Sequence, residues 1–141
     1  EGANALTETL ATLPGIETPA ILPGGVHSYW RYAVHVDDKV VEGGNDTLAA
    51  LLKERGIFTA PRYIKKPAFM CEVFQQQRTF GESRFPFTLA RKEAIDYRPE
   101  AYPGTEQGLA SILVLPWNER FTSEHVSYIG ACMKEAVERL L

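Results

Sequence analysis

The feature that most constrains the fold is residues 27–36, where largely apolar and largely polar side chains alternate. One set is Ser28, Trp30, Tyr32, Val34 and Val36, and the other is His27, Tyr29, Arg31, Ala33 and His35. A period of two is typical of a half-buried strand in an antiparallel sheet. The pattern therefore predicts that Trp30 and Tyr32 lie in the core, and that the set containing Tyr29 faces outward.

Helical patterns surround this strand. Leu6, Leu10 and Leu13 predict a first helix over residues 3–13, which Pro14-Gly15 ends. A second helix is predicted from an Asp46 N-cap to about Arg55, with Gly56 ending it in the left-handed conformation. A third is expected from Pro103 or Gly104 to Ser111, and a fourth from a Thr122 cap to the C-terminus. The fourth helix has one apolar stripe: Val126, Ile129, Met133, Val137 and Leu140.

Two further strands are indicated, over residues 57–64, interrupted by Pro61, and over residues 112–115. The order of elements predicts an α+β fold. Its sheet has three or four strands, mostly antiparallel, and its helices pack on one face. With 141 residues we expect a single domain spanning 1–141.

The segment 65–102 has no sustained period and reads as a long loop. It contains five phenylalanines: Phe69, Phe74, Phe80, Phe85 and Phe87. A loop of this length is unusual in a compact domain unless it serves a site or docks on another surface. We expect the phenylalanines to pack against another domain or a partner subunit and to be left exposed here.

Composition excludes several classes. The chain is 45% apolar and 23% charged, has a net charge of −3, and contains no apolar run long enough to span a membrane. Residues 60–98 carry a local charge of +4. General nucleic-acid binding is not expected. Cys71 and Cys132 are too far apart in sequence for a zinc or redox motif, which favours the reducing cytoplasm.

No phosphate-binding glycine loop, nucleophile elbow or metal-ligand cluster is present, so no catalytic residue is predicted. One polar cluster stands out. His27, Tyr29 and Arg31 share a strand face, and Arg62 and Tyr63 lie on the next strand. If the two strands are neighbours, these groups can bind hydroxyls, carboxylates or phosphates. A solvated outer sheet face explains the same pattern.

Four segments together resemble the small domain of DegT/DnrJ/StrS-type sugar aminotransferases. They are residues 27–36, residues 51–59 ending in Gly-Ile-Phe-Thr, residues 63–69 with Tyr63 and Pro67, and the closing pattern of Glu106, residues 113–116 and residues 121–126. The resemblance covers nearly the whole chain in order. Residues 75–102 are longer and more charged than the family pattern, and Met70-Cys71-Glu72 stands where a histidine is common.

The resemblance implies a two-domain enzyme that uses pyridoxal phosphate to aminate a keto-sugar, usually nucleotide-linked, with an amino-acid donor. This chain would be the C-terminal domain, with residues 1–13 the end of the interdomain helix. The cofactor and its Schiff-base lysine would belong to a large N-terminal domain, and the enzyme would be a homodimer. The substrate contacts it implies here are His27, Tyr29, Arg62 and Tyr63, and the isolated chain would be inactive.

Two alternatives remain at this point. The first is a non-catalytic relative, a binding or regulatory module of the same fold. The second is an unrelated α+β interaction domain.

Overall fold

A computed structural model describes residues 1–141, which form two compact units. We call Glu1–Tyr63 together with Ser111–Leu141 the sheet unit, and Ile64–Ala110 the aromatic unit. The helices are α1 Gly2–Leu10, α2 Gly44–Glu54, α3 Glu72–Gln75, α4 Pro103–Ser111 and α5 Ser123–Glu138. The strands are β1 Ile16–Glu17, β2 Arg31–Val36, β3 Ala60–Pro61 and β4 Ile112–Pro116. No helix combines the length and hydropathy that a membrane span requires.

The four strands form one sheet in the order β1-β2-β4-β3, and every neighbouring pair is antiparallel. The central pair joins distant parts of the chain, because Tyr32 lies opposite Leu115 and Val34 opposite Leu113. The predicted α+β class with a small antiparallel sheet is confirmed.

One face of the sheet is buried. Tyr32, Val34, Val36, Leu113 and Leu115 belong to a single core cluster with side chains from α1, α2 and α5, among them Leu6, Leu10, Leu48, Leu52, Met133 and Val137. Burying a side chain of this size stabilises the fold by about 1.5–3 kcal/mol. The predicted stripe of the last helix is confirmed, since four of its residues are buried and Leu140 packs against the cluster.

The helix ends are set by local chemistry. Thr122 caps α5 as predicted: its Oγ1 accepts from the His125 N–H, and its own N–H donates to His125 Nδ1. The predicted Asp46 cap is wrong, because the N-cap is Gly43, three residues earlier, at φ +75°, and α2 begins at Gly44. Gly56 has φ +73° and ends α2 as expected, its N–H donating to the Lys53 carbonyl.

The strands differ from the prediction in three places. β3 is limited to Ala60–Pro61, because Pro61 has no N–H for the ladder and Arg62 takes φ +50°. β1 arises in a region rich in proline and glycine, through pairing of Ile16 with Val36. β2 begins only at Arg31, so residues 27–30 are not part of the strand.

The face assignment of Tyr29 and Trp30 is wrong, and the two are reversed. Tyr29 is buried at 8% exposure, whereas Trp30 is 73% exposed. The cause is the backbone of Tyr29, which lies in the left-handed region at φ +50°. A left-handed residue interrupts the pleat, so alternation no longer decides which side chain points inward.

Most helices and turns of the aromatic unit are only three or four residues long. Besides most of the nine-residue helix α4, the unit contains the one-turn helix α3 and short 3₁₀ turns at Ala68–Met70, Phe87–Leu89, Lys92–Ile95 and Pro99–Ala101. Its interior consists of rings. Phe69 stacks on Tyr102 with centroids 4.3 Å apart, and Phe74 lies 5.1 Å from Tyr97 and 6.3 Å from Phe87.

A glutamine ties this interior together, because Gln75 Nε2 donates to the carbonyls of Phe69 and Tyr97 at 2.7 and 2.8 Å. The expectation that the phenylalanines are left exposed holds for only two of the five. Phe80 and Phe85 are 82% and 59% exposed, whereas Phe69 and Phe87 are buried.

Candidate functional site

The turn before β2 joins two of the predicted site residues. The Tyr29 N–H donates to Nδ1 of His27 at 2.9 Å, and their rings are 4.1 Å apart. The Tyr29 ring also stacks on that of Tyr32, with centroids 5.6 Å apart and an interplanar angle of 17°. Since Nδ1 accepts a hydrogen bond, the neutral imidazole carries its proton on Nε2. His27, which is exposed, can therefore donate to a ligand oxygen from a position fixed by Tyr29.

A cleft of about 930 Å³ opens beside this turn. Its aromatic wall consists of Tyr29, Trp30, Trp117 and Phe121, and the start of α1 and the first turns of α5 complete it. Trp117 is held by contacts with Tyr32 at 5.6 Å and Phe121 at 5.2 Å. The volume lies within the range of small-molecule sites.

The cleft offers hydroxyl and imidazole groups but no cation from a lysine or arginine. Its polar lining includes His27, Ser28, Asn118, Ser123 and Ser127, and its acidic side chains are Glu1 and Glu119. Such a lining suits a neutral, hydroxyl-rich ligand better than a phosphate.

A second cluster lies at the start of β2. The Arg31 guanidinium carbon is 4.8 Å from the centroid of Trp30 and 5.5 Å from that of Tyr63. We call Trp30, Arg31 and Tyr63 the Arg31 cluster. Trp30 also lines the cleft, so the two features share one ring.

The buried hydroxyl of Tyr32 connects β2 to α1. It lies 2.7 Å from Thr7 Oγ1, whose own proton goes to the Ala3 carbonyl at 2.9 Å, so the phenol donates to Thr7. Burial raises the pKa of Tyr32 above 10.0. Tyr32 therefore stabilises the fold and does not line the cleft.

The four predicted site residues therefore separate into three places. His27 and Tyr29 line the cleft, and Tyr63 belongs to the Arg31 cluster. Arg62 pairs instead with Asp46 of α2, with Nε 3.5 Å from the carboxylate. Arg31 belongs to the polar strand face that the sequence singled out, but it is not one of the four predicted substrate contacts. Trp30 was predicted to lie in the core, and it lies instead beside Arg31.

The residues present do not fit pyridoxal phosphate. The lysines are Lys39, Lys53, Lys65, Lys66, Lys92 and Lys134, and all are exposed on the surface. None lines the cleft, and the acidic Glu1 and Glu119 there oppose a phosphate group. No cluster of potential metal ligands is found. The cleft alone offers neither a covalent anchor nor a cradle for that cofactor.

The profile of the DegT/DnrJ/EryC1/StrS aminotransferase family matches residues 1–134. The chain belongs to this family. The resemblance stated from the sequence is confirmed, and the alternative of an unrelated interaction domain is wrong. No curated protein sequence matches the chain significantly.

Several solved structures share the fold at low identity. TlmJ from Streptoalloteichus hindustanus is 20% identical with a TM-score of 0.63, the match covering 99% of this chain and 31% of that one. DesI, solved with its TDP-sugar product, is 19% identical with a TM-score of 0.68, covering 98% and 30%. The PLP-form of Spr1654 from Streptococcus pneumoniae is 16% identical with a TM-score of 0.60, covering 99% and 30%. This member of the DegT/DnrJ/EryC1/StrS family thus spans under a third of each.

Proposed function

We propose that this chain is the C-terminal domain, residues 1–141, of a pyridoxal-phosphate-dependent aminotransferase that acts on a nucleotide-linked keto-sugar. The observation that carries the proposal is the family match over residues 1–134. This chain covers only about 30% of the length of the similar solved structures. The TDP-sugar product in DesI and the PLP-form of Spr1654 support the substrate and cofactor classes.

In this proposal the cofactor is held by a large N-terminal domain of the same protein. Bound there, it supplies the electron sink for moving an amino group from an amino-acid donor to the keto carbon. The lysine-free cleft of the present domain is consistent with that division. We also propose a homodimeric, cytoplasmic enzyme, in which α1 continues the interdomain helix; this helix ends at Leu10 rather than at the predicted Leu13.

The chain's own residues would bind and orient the sugar. We propose that His27 donates from Nε2 to a sugar hydroxyl, and that Tyr29 adds its phenol and holds the imidazole in place. Tyr63 and Arg62 would contact the more polar end of the substrate. Fixing the keto carbon in one orientation would reduce the entropy lost on reaching the transition state and so lower the barrier.

The test is amino transfer by the full-length protein with pyridoxal phosphate, glutamate and a TDP-linked keto-sugar, followed by mass spectrometry of the product. We expect an aminated sugar nucleotide, and His27→Ala should lower kcat/KM roughly ten- to a hundredfold, the loss of one substrate hydrogen bond. Glu8→Ala, which changes an exposed residue of α1 outside the cleft lining, is the matched control and should leave kcat/KM unchanged.

A second measurement tests where the cofactor is held. The isolated chain is incubated with pyridoxal phosphate, reduced with borohydride and digested. We expect no single lysine to be modified stoichiometrically. Specific labelling of one lysine would show that the cofactor binds to this domain, and the proposed division of labour would be wrong.

A further inference from the structure

Arg31 differs from the paired arginines of the sheet unit. Arg55 pairs with Glu135, and Arg62 pairs with Asp46. Arg31 takes part in none of the ion pairs. Its Nε is buried and has no hydrogen-bond partner. Aromatic rings attract a guanidinium charge but do not replace an oxygen acceptor for its N–H groups. The chain itself therefore supplies no acceptor for this N–H.

Two residues next to the Arg31 cluster have unusual backbone dihedral angles. The sheet unit has two non-glycine residues with positive φ, Tyr29 and Arg62, both at φ +50°. Each is followed directly by one of the rings that contact Arg31, Trp30 and Tyr63. Strained backbone that persists in a fold is concentrated at functional positions. Here it places both rings beside the same guanidinium, although they are far apart in sequence.

The charges of the neighbouring surface indicate the kind of ligand. The cleft that shares Trp30 contains Glu1 and Glu119 and no lysine or arginine. A ligand with both a hydroxyl-rich part and an anionic part would therefore place its anionic part at Arg31. The guanidinium offers paired N–H donors that match two oxygens of a carboxylate or phosphate.

We propose that the Arg31 cluster is an oxyanion-binding site, in which Arg31 donates to two oxygens of a carboxylate or phosphate, and Trp30 and Tyr63 hold the guanidinium. This deepens the proposed function and rests on it for the identity of the ligand. There the oxyanion belongs either to the diphosphate of the sugar nucleotide or to the carboxylate of the amino donor.

The experiment uses the 141-residue chain carrying Trp117→Phe, so that Trp30 is the sole tryptophan. Inorganic pyrophosphate and glutamate are titrated separately at constant ionic strength, and Trp30 emission is recorded. We expect a saturable change with one of them. Arg31→Gln should raise the Kd by at least about tenfold, and Arg31→Lys should bind more weakly than arginine because it loses the paired donors.

Arg139→Gln is the matched control, because it removes the same charge from an exposed position beyond α5 and should leave the Kd unchanged. Circular dichroism and the Tm establish that each variant is folded. Should Arg31→Gln not fold, Tyr63→Ala provides the test, since this half-exposed ring can be removed without a core cavity, and a several-fold rise in Kd is expected.

Saturation with pyrophosphate alone would assign the site to the sugar nucleotide, and saturation with glutamate alone to the amino donor. An unchanged Kd in folded Arg31→Gln, or no saturable response of the folded parent to either anion, would overturn the proposal. The readout requires neither cofactor nor turnover. Anion binding at Arg31 by a full-length protein that transfers no amino group would therefore reject the proposed function alone.

Discussion

The sheet unit and the aromatic unit bury their side chains by different means. In the sheet unit, strands and helices of regular period align aliphatic side chains such as Leu113 and Met133 into one core. In the aromatic unit, short turns hold Phe74, Phe87 and Tyr97 in mutual ring contact, and Gln75 fixes two carbonyls. The comparison teaches that a few large rings can organise a segment in which no periodic pattern is present.

The largest expected effect contrasts the same residue type in the two units. Leu115→Ala should lower the free energy of unfolding by about 3 kcal/mol, because the side chain is almost fully buried between sheet and helices. Leu89→Ala, in the aromatic unit, should change it by less than about 0.5 kcal/mol, since Leu89 is 76% exposed. Urea denaturation measures both. Equal effects would remove the distinction between the two modes of burial.

The next effect tests the reversal before β2. Tyr29→Ala should cost about 2–3 kcal/mol, less than a sealed core position because the ring also lines the cleft. Trp30→Ala should change the free energy of unfolding by less than about 1 kcal/mol, since its ring is mostly exposed. Thermal unfolding followed by circular dichroism compares them. A larger loss of stability in Trp30→Ala than in Tyr29→Ala would instead support the prediction that Trp30 lies in the core and Tyr29 faces outward.

A smaller effect, which depends on pH, is expected at Tyr32. Tyr32→Phe removes the bond to Thr7 and should cost about 1 kcal/mol at pH 7. Burial raises the pKa of Tyr32 above 10.0, so its stabilising contribution is complete below pH 10.0 and is lost as pH rises through the pKa of the folded state. The free energy of unfolding, measured from pH 8 upward, should therefore fall less steeply in Tyr32→Phe. Identical slopes would contradict this account.

The smallest effect belongs to the aromatic unit. Hydrogen bonds from Arg98 hold the pKa of Asp96 at about 2, below its ordinary 3.8. Since the folded pKa is lowered, this contribution is present above the ordinary value and is lost as pH falls towards 2. Arg98→Gln should return the Asp96 pKa towards 3.8, as measured by NMR titration, and leave the Tm nearly unchanged because the pair is exposed. Arg91→Gln should leave the Asp96 titration as it is.

How well the sequence predicts an element also differs between the sheet unit and the aromatic unit. The Thr122 cap and the stripe from Val126 to Val137 predict α5, because local chemistry and period agree there. β1 is not predictable, since its two residues are a strand only through pairing with β2. The turns of the aromatic unit have no period to detect.

The candidate site is only partly predictable for a related reason. His27 and Tyr29 are only two residues apart in sequence, and their contact is local. Tyr63 reaches Arg31 only after the sheet has formed and Arg62 has taken a positive φ, neither of which a residue pattern reports. The alternation of residues 27–36 predicts Trp30 in the core, because a residue pattern does not report that Tyr29 takes φ +50°, which is rare for a tyrosine.

The Arg62 N–H donates to the Ile112 carbonyl at 3.0 Å, so the sheet unit joins the two ends of the segment that interrupts it. For a chain whose ends are fixed so closely, the entropy lost in closing the loop grows only with the logarithm of its length, about 0.6 kcal/mol for each doubling. The intervening segment can thus be shortened, lengthened or exchanged in evolution at little thermodynamic disadvantage to the sheet. Divergence among relatives should accumulate there before it reaches β3 or β4.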